Sequence, residues 1–337
     1  MRAPARGILQ RTRLIVFALA AVSIAGCGQS AATTAPAPST SVTASVAPAS
    51  PSLSTPSVAP TPSQTPTPTP TPKPEVPDFA HVYVIVLENK EYGRIVNSAA
   101  APYINSLIAR YGLATNFYGE THPSEPNYIA LTSGGLQGTR TDGTYNLSVD
   151  NLFDQVEASG RTWRVYAQGY PGNCFKTYIA NPVVDGPGAA GEYVRKHNPA
   201  ISYTSISGNP TRCAAITGLK GFDPAAADLE LIIPNQINDM HSSSVAAGDA
   251  FLKAFVPSIV GSPAFAGSVL FITFDEGDTN LNGGGHIATI VVSPGLPPGS
   301  RFTATANHYA ILRTIELAWG LPLLGEARSA PTIDLAY

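Results

Sequence analysis

The chain has 337 residues, room for one large domain or two modest ones. Thirteen of its 31 prolines crowd between Pro36 and Pro77, so the folded body is shorter than the chain. From Asp78 onward 15 cations stand against 22 anions, a net charge of −7, which disfavours a nucleic-acid binder working through a broad basic surface.

Residues 1–26 read as a lipoprotein signal peptide. Arg2, Arg6, Arg11 and Arg13 precede a twelve-residue apolar run, Leu14 to Ala25. At about 1.5 Å per residue that run is too short to span a bilayer comfortably. Ile24-Ala25-Gly26-Cys27 resembles the bacterial lipobox, with Cys27 the lipidated first residue of the mature chain; an ordinary secretory signal with an incidental cysteine is the alternative. The expectation is an exported lipoprotein held at the cell surface through acyl chains on Cys27. Residues 27–77 follow as a stalk. Gly28 to Pro72 contains no charge and is dominated by Ser, Thr, Ala and Pro, so it buries too little apolar surface to fold. With Cys27 lipidated, Cys174 and Cys213 are the pair left in an exported domain, where a disulfide is expected over a metal site.

From residue 78 to 337 short β-branched runs alternate with helical patterns. His81 to Leu87 predicts a strand covered on both faces, Pro102 to Tyr111 a helix, and Leu113 to Phe117 a strand. Asn151 to Ser159 predicts a helix and Thr162 to Ala167 a strand. Gly172 to Pro224, rich in Gly, Pro and Asn, reads as an excursion stapled by the disulfide. Strands at Leu229 to Ile233, Val269 to Phe274 and Ile287 to Val292 follow, with helices from about Ser244 to Val260 and His308 to Trp319. The alternation argues for one α/β domain around a mostly parallel sheet, flanked by helices, with its ligand site beyond the carboxyl ends of the strands.

Three strands deliver polar groups to that edge: Glu88-Asn89 after the first, Asn238-Asp239-Met240-His241 after Leu229–Ile233, and Asp275-Glu276-Gly277-Asp278 after Val269–Phe274. One such cluster is usually a solvated turn; three at matching ends point to a site. Ser124, in Thr121-His122-Pro123-Ser124-Glu125-Pro126-Asn127-Tyr128, carries two readings. As a helix N-cap it only ties off backbone amides. As a nucleophile it faces the positive end of the helix dipole, and a neighbouring metal ion would activate it.

Pro-Ser-x-Pro-Asn opening a helix, preceded by a strand ending in Glu-Asn and followed by Asn-Asp-x-His and Asp-Glu, resembles the bacterial phosphoesterase family. Glu120 to Tyr128, Arg195-Lys196-His197, Gly248-Asp249-Ala250 and Leu312 to Glu316 extend the likeness over most of residues 78–337. That family holds acid phosphatases and phospholipases C on an alkaline phosphatase-like fold. The resemblance implies Ser124 as nucleophile, Asn127 as a phosphoryl contact, and Glu88, Asn89, Asp275 and Glu276 as ligands of a divalent cation. It also implies His241 and His286 as site histidines, with Asp239 beside His241. His122 either contacts substrate or holds a loop, and His308 is placed in the site. His81 and His197 are read as structural, and Tyr128 as packing.

The expected activity is metal-dependent phosphomonoester hydrolysis, with a phosphoinositide such as phosphatidylinositol 3-phosphate among the substrates implied by resemblance. A phospholipase C-type phosphodiesterase and an inactive stalked binding protein are the alternatives. A sulfatase fits poorly, because Tyr128 stands where the Cys/Ser-x-Pro-x-Arg signature needs arginine.

Overall fold

This computed structural model describes residues 76–335; the signal segment, Cys27 and nearly all of the stalk lie outside them. The apolar run Val82–Leu87 forms strand β1, buried at all six positions. Then come Tyr92–Ile95 (α1), Pro102–Arg110 (α2), Gly112–Tyr118 (β2), Ser124–Ser133 (α3), Leu152–Ala158 (α4) and Trp163–Ala167 (β3). Thr204–Ser207 (α5), Pro210–Cys213 (α6), Ile216–Thr217 (β4), Leu229–Ile233 (β5), Val245–Val260 (α7) and Val269–Phe274 (β6) continue the body. His286–Val292 (β7), Ser300–Phe302 (β8), Ala306–Asn307 (β9) and His308–Ala318 (α8) complete it.

The strands form one sheet in the order β4-β3-β5-β1-β6-β7-β2-β8, with β9 also pairing β2. All pairs are parallel except those of β7, which runs antiparallel to both β6 and β2. The expected mostly parallel α/β domain is therefore present, with one reversed strand. The cause is the connection: residues 275–285 join β6 to β7 without a helix to cross the sheet, so the chain turns straight back.

Register positions the site. Leu87 pairs with Phe274, so Glu88-Asn89 and Asp275-Glu276 leave the sheet side by side. The Glu88 N–H donates to the Asp239 carbonyl at 2.8 Å, which draws the segment after β5 to the same edge.

Helices pack in pairs, α2 on α7 and α3 on α8. The α2 amides of Tyr103 and Ile104 donate to the buried carboxylate of Asp249 on α7, at 3.1 and 2.8 Å. Asp249, part of the family-like Gly248-Asp249-Ala250, thus satisfies a helix end from a neighbouring element. Helix α3 is buried at all ten residues and stops at Gly134, whose φ of 70° suits glycine. A Cβ there would sit 2.3 Å from the Leu324 carbonyl oxygen. Ser124 is not the N-cap: Pro123 holds that position and Ser124 is the first helical residue, which frees its hydroxyl from capping.

Cys174 and Cys213 are disulfide-bonded, with Cα atoms 5.4 Å apart. The bond staples the expected excursion, which the sequence pattern left irregular. It contains α5, α6 and β4, elements of four residues or fewer and too short for a period to show.

Candidate active site

The site begins at the end of β1. Glu88 is fully buried and both carboxylate oxygens are engaged. Oε2 accepts from the Ser124 hydroxyl at 3.0 Å, and Oε1 accepts from the Tyr128 hydroxyl. Tyr128, expected only to pack, therefore fixes Glu88. Asn89 follows with a φ of 46°, a left-handed conformation that asparagine tolerates better than most residues. That turn aims its backbone N–H at Asp275 Oδ1 (3.1 Å) and its side-chain amide at Glu276 Oε1 (3.0 Å).

Ser124 sits at the N-terminus of α3, where the helix dipole favours negative charge and the Glu125 N–H already donates to Asp142 Oδ1 at 3.1 Å. The ammonium of Lys196 lies 3.4 Å from its hydroxyl and is held by Asp142 Oδ2 at 2.9 Å. Lys196 arrives on the disulfide-stapled excursion, which is fastened to α3 by a buried ion pair. The Arg195 guanidinium meets Glu125 Oε1 at 3.2 Å, and Glu125 also accepts from Gly143 N–H at 2.7 Å and Ser202 at 3.2 Å. Burial dominates Glu125 and raises its pKa to about 7.

His197, expected to be structural, belongs to the site. Its Nε2 lies 3.2 Å from Glu88 Oε2 and its Nδ1 3.5 Å from Asp239 Oδ2, while its ring stacks on Tyr128. The one signal for it was Arg195-Lys196-His197, three cationic or imidazole residues in a cation-poor segment. Asp239 also accepts from the His241 N–H at 2.7 Å. The His241 ring lies 6.0 Å from that of His197, centre to centre. Burial, then Lys196, His197 and Lys90, lower its pKa to about 4, so the ring is neutral at neutral pH.

Other expected residues take different places. Asn127 spends its amide on the preceding loop: Oδ1 accepts from Glu120 and Thr121 N–H groups, and Nδ2 donates to the Thr121 and Pro123 carbonyls. It shapes the loop that leads to Ser124. His286 is not brought to the cluster; its ring lies between Tyr92 and Tyr118 and bonds the Thr115 carbonyl at 2.9 Å. It opens β7, the reversed strand, so it starts where parallel neighbours end, and stacking takes its ring. His308 is buried between the Glu120 carboxylate and the Phe274 carbonyl, behind Asp275. His122 bridges Glu276 Oε2 and the Thr279 carbonyl, both at 2.8 Å.

The four acids at this edge lack matching positive charge. Burial first raises the pKa of Glu88 and Asp239 to about 7, Asp275 to about 8 and Glu276 to about 9; repulsion from neighbouring acids adds to it for the last three, whereas Lys196 and the hydroxyls of Tyr128 and Ser124 draw Glu88 back down. Among the described residues, no group of three or more His, Cys, Asp or Glu side chains is gathered closely enough to ligate a metal ion. The expected ligands Glu88, Asn89, Asp275 and Glu276 are nonetheless neighbours. Asn89 Oδ1 and Asp275 Oδ2 are buried without a hydrogen-bond partner. Unsatisfied hard oxygens and uncompensated buried acids fit a divalent cation.

A sequence model of the phosphoesterase family matches residues 93–322. A phosphatidylinositol-3-phosphatase of Mycobacterium tuberculosis is 32% identical over 264 residues, which cover 77% of this chain and 83% of that protein. An acid phosphatase of Aspergillus fumigatus is 29% identical over 259 residues, 73% of this chain but only 56% of the fungal one. Among solved structures, the lipoteichoic acid synthase LtaP of Listeria monocytogenes aligns with a TM-score of 0.50 at 9% identity, over 75% of this chain and 76% of its own, a likeness of fold alone.

Proposed function

Because the chain belongs to the phosphoesterase family, a family of hydrolases acting on phosphoric esters, we propose that it is a phosphomonoesterase with Ser124 as nucleophile. One observation carries the reading: the Ser124 hydroxyl, at the N-terminus of a ten-residue helix, donates to Glu88 at 3.0 Å with the Lys196 ammonium 3.4 Å away. Acceptor, nucleophile and cation converge from three distant parts of the chain.

Glu88, which already accepts from the Ser124 hydroxyl, takes the serine proton as the oxygen attacks phosphorus; the bond to the alcohol breaks on the opposite side and the alcohol departs with a proton from solvent. Lys196 and the positive end of the α3 dipole offset charge on the phosphoryl oxygens. Tyr128 and His197 hold Glu88 in place. When water displaces the phosphoryl group from the serine, the water gives up a proton to solvent and Glu88 returns its own to the leaving serine oxygen, which restores the starting state. A divalent cation held by Asn89, Asp275 and Glu276, with the Glu88 carboxylate beside it in the resting state, would supply Lewis-acid neutralisation of the nucleophile and substrate.

The substrate is proposed to be a phosphate monoester, with a phosphoinositide a candidate because the mycobacterial relative is named for one. Lipidation of Cys27 and tethering by the stalk, residues 27–77, are supported by sequence pattern alone. The test is hydrolysis of an aryl phosphate monoester and its diester by the purified chain, with and without chelator, beside Ser124→Ala. Monoester turnover lost in both the chelated and the Ser124→Ala samples is expected. Turnover surviving both contradicts the mechanism, and a preference for the diester moves the assignment to a phospholipase C-type enzyme.

A further inference from the structure

Four of the five large apolar side chains exposed among the described residues lie within seven positions. They are Tyr178 (38%), Ile179 (44%), Val183 (42%) and Val184 (69%); the fifth is Leu281. They line a narrow ribbon in which Ile179 bridges Val194 and Val183 bridges Gly191, both antiparallel. The ribbon is held out firmly. Cys174 anchors its base to Cys213, and Asp185 accepts from the N–H groups of Gly169, Leu219 and Lys220. Between positions 169 and 194 the one exposed charged side chain is Lys176.

Ile179 and Val183 share one hollow with Tyr170 and Phe175, while Tyr178 and Val184 alternate with them along the ribbon; exposed apolar groups gathered in this way mark an interaction surface. Its position narrows the occupant. The Arg195 N–H donates to the Tyr178 carbonyl at 2.8 Å, and the next residue, Lys196, reaches Ser124. The apolar ribbon therefore starts at the rim of the phosphate site. Any body resting on it must carry apolar surface beside a phosphate monoester, and a bilayer holding phospholipid monoesters does so. Tyrosine suits the boundary between headgroups and acyl chains, and Lys176 suits anionic headgroups.

We propose that the Tyr178–Val184 ribbon seats on a phospholipid bilayer and delivers phosphate-monoester headgroups to Ser124. This rests on the phosphomonoesterase reading above. The experiment compares the full chain carrying Cys27→Ser, so that no acyl anchor contributes, with the same chain carrying Ile179→Asp and Val184→Asp. Both altered positions are exposed and outside the catalytic cluster. Hydrolysis is measured on phosphatidic acid in phosphatidylcholine vesicles and on soluble glycerol 3-phosphate, with vesicle co-sedimentation alongside. The expected result is about a tenfold fall in kcat/KM on vesicles, unchanged kcat/KM on the soluble ester, and lost co-sedimentation. An unchanged ratio of vesicle to soluble activity with unchanged co-sedimentation overturns the proposal and leaves the ribbon to a protein partner. If neither chain hydrolyses the soluble ester yet only the parent sediments with vesicles, the ribbon stands and the catalytic reading falls.

Discussion

The site is assembled from two regions held by different physics. Glu88-Asn89 and Asp275-Glu276 are placed by strand register, at the ends of β1 and β6, which are buried at every position. Lys196 and His197 ride on an excursion with little regular structure, fixed by a disulfide and the Arg195–Glu125 ion pair. The sheet thus supplies nucleophile partners and acids at no local expense, while positive charge is brought in by an arm that polar contacts must fasten. Chemistry and stability should separate accordingly.

The sharpest break of that contrast is Lys196→Ala. Removing one preorganised cation beside the nucleophile should lower kcat/KM on a monoester about 10²–10³-fold, with Lys196→Arg recovering part of it. A monoanionic diester should suffer less than a dianionic monoester. Equal losses on both substrates would mean that Lys196 only supports the fold.

A smaller effect tests the arm's fastening. Cys174→Ser with Cys213→Ser opens a loop with a sequence separation of 39. Loss of about 3–4 kcal/mol is expected in the chain-entropy model, read as a lower Tm together with reduced kcat/KM. A lower Tm with unchanged activity would show that Lys196 and His197 do not depend on the staple.

The most gradual effect, spread over about three pH units, lies in the sheet itself. Glu230 on β5 is fully buried outside the site, and burial raises its pKa from 4.5 to about 8. Between those values the native chain holds a proton that the unfolded chain has released, so stability falls as pH rises. Glu230→Gln stays neutral, so its stability should gain on the parent by at most about 1.4 kcal/mol per pH unit from pH 5 to 8. Thermal unfolding across that range decides it, and a constant difference would mean that Glu230 does not titrate there.

The same division governs what the sequence made legible. The long strands and most long helices are recoverable from their apolar pattern, as in the continuous run Val82–Leu87, but α3, buried at all ten residues, has no periodicity and is announced only by its opening residues. The meeting of Glu88, Asn89, Asp275 and Glu276 was legible too, since each follows a strand; for Ser124 the pattern showed only that it opens a helix, and the role of nucleophile rested on the family resemblance. His197 was not. Its place depends on Glu125–Arg195 and Cys174–Cys213 contacts between residues far apart, which no local pattern encodes. His286 erred in the opposite direction: a histidine at a strand start looks alike whether the strand is parallel or reversed. Asn127 sits one turn after Ser124, but hydrogen bonds to Glu120 and Thr121 turn its amide to the loop.

The central claim, that Ser124 attacks phosphorus, is tested most directly by stereochemistry. A monoester bearing an isotopically chiral phosphoryl group is offered with an alcohol acceptor, and the configuration of the transferred group is read. Two in-line displacements through the serine predict net retention at phosphorus. Net inversion would mean a single direct displacement, with Ser124 no more than a helix residue beside the acids.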